Sequence, residues 1–170
     1  CKNRKNPQNL KDFGPNFLAR ESVTGRQIGV NRWRFNSWGE KYPWEIDDEA
    51  NREIVRAVEL PWFDPGIVLE GGAFDVNGKG SCLTTTSCLL NPNRNGGLEI
   101  KKMEQYLKDY LGVNNIIWLS GSLEGDDTDG HIDNLARFVN SNTIVYMSEE
   151  DKDDANYNNI KLVSESLKKA

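Results

Sequence analysis

Between Ile67 and Leu119 the spacing of apolar residues changes period twice, which restricts the chain to a fold that mixes strands with helices. Ile67-Val68-Leu69 is a short apolar run ending at Glu70-Gly71-Gly72, and it reads as a strand with Glu70 at its end. Ala73–Val76, the Asn77-Gly78 pair and Ser81–Thr84 together predict a hairpin. From 98 to 111 the period lengthens, with Ile100, Met103, Leu107, Tyr110 and Leu111 repeating at helical spacing up to Gly112. Ile116–Leu119 then returns as a buried strand.

The flanks follow the same alternation. The first ordered element is expected near Phe17–Ala19, after the Gly14-Pro15 turn signal. Residues 31–44 hold Trp33, Phe35, Trp38, Tyr42 and Trp44 among the breakers Gly39 and Pro43, a packed irregular segment suited to walling a cleft. Residues 47–60 predict a helix with an acidic start, placing Ala50, Ile54, Ala57 and Val58 on one face. After the polar loop 120–130, a hairpin is expected from 134–139 and 143–147, and Ile160, Val163 and Leu167 mark a last helix. The fold class is therefore α/β. At 170 residues with 37% hydrophobic content, one domain with its own core is expected.

Charge narrows the partners. A net charge of -5 with dispersed basic residues gives no stripe for a polyanion, so no nucleic acid is expected and a small cation fits better. No apolar run reaches the roughly 20 residues that cross a bilayer, so no membrane association is expected. Three cysteines, Cys1, Cys82 and Cys88, do not form a disulfide framework and point to a reducing cytoplasmic location.

The chemistry-bearing residues are few. His131 is the only histidine, and in an extended Gly130-His131-Ile132-Asp133-Asn134 segment it shares a side with Asp133, a carboxylate able to bias its proton or bind a cation beside it. A lone histidine is more often structural. The acidic loop 124–130 fails the calcium-loop pattern: with Gly130 at the sixth position, the first and twelfth positions are Gly125 and Ala136. Cys82, Cys88 and one histidine do not complete a zinc set, so no metal and no cofactor are expected. Gly78-Lys79-Gly80 is explained by a turn rather than a phosphate loop. Asp12 beside Gly14-Pro15 and Glu70 before two glycines are acids at tight backbone, for which a turn cap and a solvated strand end are the plain readings.

Five segments occur together in a telling order: Asp12–Pro15, Phe35–Tyr42, Leu69–Gly72, Cys88–Asn95 and Asp127–Asn134. In this the chain resembles the agmatine deiminase and bacterial peptidylarginine deiminase family from about Asp12 to Ala170, leaving 1–11 as an unmatched N-terminal tail. The resemblance implies a pentein fold, a five-bladed pseudo-symmetric α/β propeller, of whose single catalytic domain 12–170 would be the middle portion. It implies hydrolysis of agmatine-like guanidinium substrates to N-carbamoylputrescine and ammonia through a cysteine thiouronium intermediate. His131 would be the general acid/base, Asp12 and Asp133 would grip the guanidinium, and Glu70 would complete the carboxylate set. The family's nucleophile lies in a glycine-rich segment this sequence does not reach; Cys88 matches a different position, where packing is expected, so the chain alone is expected to be inactive. Lys11 stands where the family motif has Arg. A peptidylarginine or arginine deiminase is the alternative within the class, and a non-catalytic pentein-fold binding protein, like a ribosome-associated translation factor, is the alternative outside it. A partial propeller would expose strand edges and helix faces, so self-association as a homo-oligomer is expected.

Overall fold

The computed structural model describes residues 10–170 and has a mixed α/β architecture of three small sheets. The second sheet organises the rest. In it β4 (Phe74–Val76) pairs antiparallel with β5 (Ser81–Thr85), and β5 pairs parallel with β6 (Asn115–Leu119). The turn between β4 and β5 has Gly78 at φ 68, and the Asn77 side chain accepts from the backbone N–H groups of Lys79 and Ser81. The expected hairpin is therefore present.

β5 is buried on both faces, and its period-two alternation divides the core. Cys82 joins a cluster with Trp33, Leu69, Cys88, Leu89, Met103 and Leu107; Leu83 joins a second cluster with Leu119, Ile132, Leu135 and Val163. On the first face packs α6 (Ile100–Leu111), which buries Met103 and Leu107, i and i+4 on one stripe, and ends at Gly112 in the left-handed conformation. Each of those side chains contributes roughly 1.5–3 kcal/mol by leaving water. On the second face packs α7 (Tyr157–Leu167) through Val163 and Leu167, with Ile160 buried on the same helix. The connection from β5 to parallel β6 runs through α4 (Thr86–Leu89), α5 (Pro92–Asn95) and α6, as a parallel pair requires.

The first sheet was only partly legible in the sequence. β1 (Asn16–Ser22) and β2 (Gly25–Asn31) form a hairpin registered from Asn16↔Asn31 to Ser22↔Gly25, with β3 (Trp62–Phe63) added parallel to β2. Most of its residues are exposed, so no apolar alternation marks β2. Ile67–Leu69, expected as a strand, makes one isolated bridge between Val68 and Arg34 instead, and Glu70 follows it into the interior rather than ending a strand at the solvent. The helix expected at 47–60 is α3 (Glu45–Ala57), and its buried positions are Asn51 and Val55, while Ala57 is exposed. Asn51 is held there because its amide donates to the Trp33 carbonyl at 3.0 Å. The third sheet is the β7 (Ala136–Asn140) and β8 (Thr143–Tyr146) hairpin, as expected. At the N-terminus, α1 (Leu10–Phe13) begins inside the stretch read as a tail; residues 1–9, including Cys1, lie outside the described residues. Among the described residues, no helix is long and apolar enough to cross a membrane.

Candidate active site

Three backbone segments bring Asp12, Glu70, and the pair His131 and Asp133 together. Gly71 and Gly72 make this possible by offering no side chain: a Cβ on Gly71 would overlap the Lys11 carbonyl, and one on Gly72 would overlap His131 Nδ1. The Gly72 N–H donates to Asp12 Oδ1 at 3.0 Å, and the Asp133 N–H donates to the Gly72 carbonyl at 3.4 Å. The two aspartates are thus tied to opposite ends of one glycine. His131 and Asp133 do meet, but not through an extended segment. Ile132–Asn134 is a 3-10 turn capped by His131, and it returns Asp133 to the imidazole.

His131 Nδ1 lies 4.0 Å from Asp12 Oδ1 and 3.9 Å from Asp133 Oδ1, with side-chain exposures of 2% for His131, 14% for Asp12 and 13% for Asp133. A buried imidazole between two partly open carboxylates leaves an anionic notch beside a proton-transfer group. Lys11 Nζ reaches into that notch as a hydrogen-bonded ion pair with Asp133. Burial raises the Asp12 pKa, against the charge of Lys11 and the N–H groups of Gly72 and Trp38. The Trp38 indole N–H is buried and has no hydrogen-bond partner among the described residues. Trp38 belongs to α2 (Ser37–Glu40), a turn whose four residues all have positive φ, from 48 to 93. The burial of His131 pushes its pKa down to about 3, with the Arg94 cation adding to the effect and Asp126 opposing it. The imidazole is neutral at pH 7.

Behind His131 the site is buried. Glu70 is fully buried, and one oxygen of its carboxylate, one ring nitrogen of His131 and Cys88 Sγ lie within 4.8 Å of one another. Among the described residues, Glu70 Oε2 and His131 Nε2 have no hydrogen-bond partner. These donor types could hold a soft metal ion. Arg94, however, donates through Nε to Glu70 Oε1 at 2.7 Å, which puts a cation beside the carboxylate of that set. Cys88 is buried as the packing reading expects, and desolvation raises its thiol pKa well above the usual range; burial pushes Cys82 up to about 12. Neither is poised as a thiolate at neutral pH.

The acidic loop works on itself. The Asp126 carboxylate accepts from the Thr128 N–H at 2.9 Å, the Thr128 hydroxyl at 2.6 Å and the Gly130 N–H at 2.8 Å. Burial works against its charge, but these donors win and lower its pKa. Asp129 is lowered likewise, its burial outweighed by Lys41, Asn93 and Arg94. Arg94 was not singled out in the sequence, because a lone Arg among asparagines looks like a surface turn. Its environment is unlike a surface: the side chain is fully buried, and Asn95 next to it bonds both the N–H and the carbonyl of Val68, two residues before Glu70.

The chain is similar to known proteins over most of its length. Residues 7–170 match the model of the Porphyromonas-type peptidyl-arginine deiminase family. The agmatine deiminase of Medicago truncatula is 38% identical over 159 residues, covering 87% of this chain and 42% of that protein. That of Pseudomonas aeruginosa (strain UCBPP-PA14) is 39% identical over 154 residues, covering 87% and 41%. Among solved structures, C. jejuni agmatine deiminase with substrate bound superposes with a TM-score of 0.82 at 38% identity, covering 95% of this chain and 48% of the other. Agmatine deiminase of Enterococcus faecalis gives 0.85 at 32%, covering 95% and 45%. The chain spans less than half the length of these relatives. A match over 164 residues of sequence that also holds in three dimensions is a match of family, and the chain belongs to the Porphyromonas-type peptidyl-arginine deiminases.

Proposed function

We propose that the chain forms the cation-holding part of an agmatine deiminase. The observation that carries this reading is the pair of carboxylates, Asp12 and Asp133, on either side of His131 Nδ1 at 4.0 and 3.9 Å. A guanidinium is a planar cation with several N–H donors, and two opposed carboxylates can accept from it while fixing the direction of its carbon. Glu70, with one oxygen unbonded behind the imidazole, completes the set. To enter, the substrate displaces Lys11 Nζ from Asp133.

The neutral imidazole fits the proton bookkeeping of deimination. A cysteine thiol gives its proton to His131 as sulfur attacks the guanidinium carbon, and His131 hands that proton to the departing nitrogen, which leaves as ammonia. His131 then takes a proton from water as the oxygen attacks the thiouronium carbon; the carbon–sulfur bond breaks with its electron pair going to sulfur, which recovers the proton from His131, and the ureido product leaves after its hydroxyl proton passes to solvent. The thiol comes from a cysteine other than Cys82 and Cys88, whose sulfurs are buried and held as thiols. With agmatine the product is N-carbamoylputrescine, and on this reading the reaction serves putrescine biosynthesis in the cytoplasm. The three small sheets of this chain are, on the same reading, parts of a five-bladed propeller around the site, with 12–170 as the middle portion of the catalytic domain.

The test is ammonia release from agmatine, arginine and a peptidylarginine by the protein as its gene encodes it, before and after thiol alkylation. Alkylation-sensitive release from agmatine is expected. Preference for the peptide or for arginine would move the assignment to the alternative deiminase, and release from none would leave a non-catalytic binding protein.

A further inference from the structure

We propose that Arg94 is a positioning residue for the reaction, joining Glu70 to the loop that presents His131 as one rigid unit. This rests on the functional reading above and extends it to a residue outside the guanidinium-holding set. Arg94 spreads its donors over two segments distant in sequence. Nε donates to Glu70 Oε1 at 2.7 Å, Nη1 to Asp129 Oδ2 at 2.7 Å and Asn93 Oδ1 at 2.8 Å, and Nη2 to the Thr128 carbonyl at 2.7 Å. Thr128 in turn accepts the His131 N–H on its hydroxyl at 3.2 Å. One guanidinium therefore fixes both the acid beside the imidazole and the backbone that sets the imidazole's position. Only a planar fork makes such parallel contacts; a lysine ammonium cannot reach both segments at once.

The fork is itself held in place. α5 carries Arg94, Asn36 donates to the Asn93 carbonyl at 2.8 Å, and Asn95 clamps Val68 by two bonds at 2.9 and 3.0 Å. Lys41 bonds the outer oxygen of Asp129 at 2.6 Å. The charges around His131 are Asp12, Asp133 and Lys11 at the open side, Glu70 and Arg94 behind it, and Asp126 and Asp129 in its own loop. The Cys88 thiol lies with Glu70 behind the ring. Of these, Arg94 is the cation with the largest effect on the imidazole, and it acts to keep His131 neutral.

Because His131 is the only imidazole in the 170 residues, its NMR titration is read without assignment. In Arg94→Gln, loss of the cation and exposure of an unneutralised Glu70 should raise the His131 pKa by about one pH unit or more. Arg94→Lys should leave it nearly unchanged. In the protein as its gene encodes it, both variants should lose about ten-fold or more in kcat on the preferred guanidine with KM altered far less, and only Arg94→Gln should shift the pH profile. Full kcat per folded molecule in Arg94→Lys, or an unshifted His131 in a folded Arg94→Gln, would overturn the proposal. If Arg94→Gln does not fold, Arg94→Lys and the wild-type Arg94 Nε–H decide: that proton should exchange slowly, and exchange as fast as in an exposed arginine would overturn it. Absence of turnover in the wild-type protein would sink the functional reading instead, while the titration would still test the link from Arg94 to His131.

Discussion

Acidification should expose how deeply His131 is buried. In the unfolded chain its pKa is near 6.5 and in the folded chain about 3, so between these values the unfolded state binds a proton that the folded state refuses. The contribution is fully present above pH 6.5 and is lost as pH falls toward 3. The whole difference corresponds to about 5 kcal/mol, with a slope near 1.4 kcal/mol per pH unit inside the window. Between pH 6.5 and 5 the expected loss is about 2 kcal/mol, a large part of a typical margin. Other groups titrate nearby. Asp12 and Glu70 have raised folded values and so regain stability on protonation, whereas Asp126 and Asp129 are lowered and lose theirs only in stronger acid. Subtracting His131→Gln removes these shared terms. Urea unfolding followed by tryptophan fluorescence at several pH values from 7.5 to 5 should give a wild-type minus variant difference that shrinks with acid. A constant difference, or one that grows, would refute the reasoning and mean that Asp12 and Asp133 hold the imidazolium more strongly than burial expels it.

Gly72→Ala should cost about 1–3 kcal/mol in urea unfolding, because its methyl has to displace His131 Nδ1 and sits 3.1 Å from Asp12 Oδ1. Asn95→Ala should lose about 1–3 kcal/mol in the same assay by leaving the Val68 N–H and carbonyl unpaired. Leu107→Ala should cost roughly 2–5 kcal/mol from the cavity under β5, as thermal or urea melts will register. Iodoacetamide should label neither Cys82 nor Cys88 in the native chain at neutral pH, and both after unfolding, as peptide mass mapping would reveal.

What could be read from the sequence followed from what is periodic. β5, β6, α6 and α7 were legible because Met103, Leu107, Leu119, Ile160 and Val163 repeat with the period of the element that buries them. The β1–β2 hairpin was half-hidden because its strands are set by backbone pairing, with polar residues such as Arg20, Gln27, Glu21 and Arg26 opposite one another and little burial. The face of α3 was misread because a polar residue, Asn51, is buried there through a hydrogen bond that no apolar scale registers. At the site, the His131–Asp133 pairing was legible in sequence proximity, though a 3-10 turn and not strand alternation brings it about. Asp12 and Glu70 came from the family resemblance, since each alone reads as a turn or strand-end acid. Arg94 lay within the family segment Cys88–Asn95, but nothing in the sequence showed its role, because its acidic partners Glu70 and Asp129 lie 24 and 35 residues away.

The most direct test of a guanidinium site built on Asp12, Asp133 and His131 is the His131 imidazole signal of the 170-residue chain during an agmatine titration, with putrescine as the control that lacks the guanidine. Agmatine should shift the signal saturably, putrescine should not, and Asp12→Asn should weaken the response. An unmoved imidazole, or an equal response to putrescine, would contradict the assignment of this notch to a guanidinium.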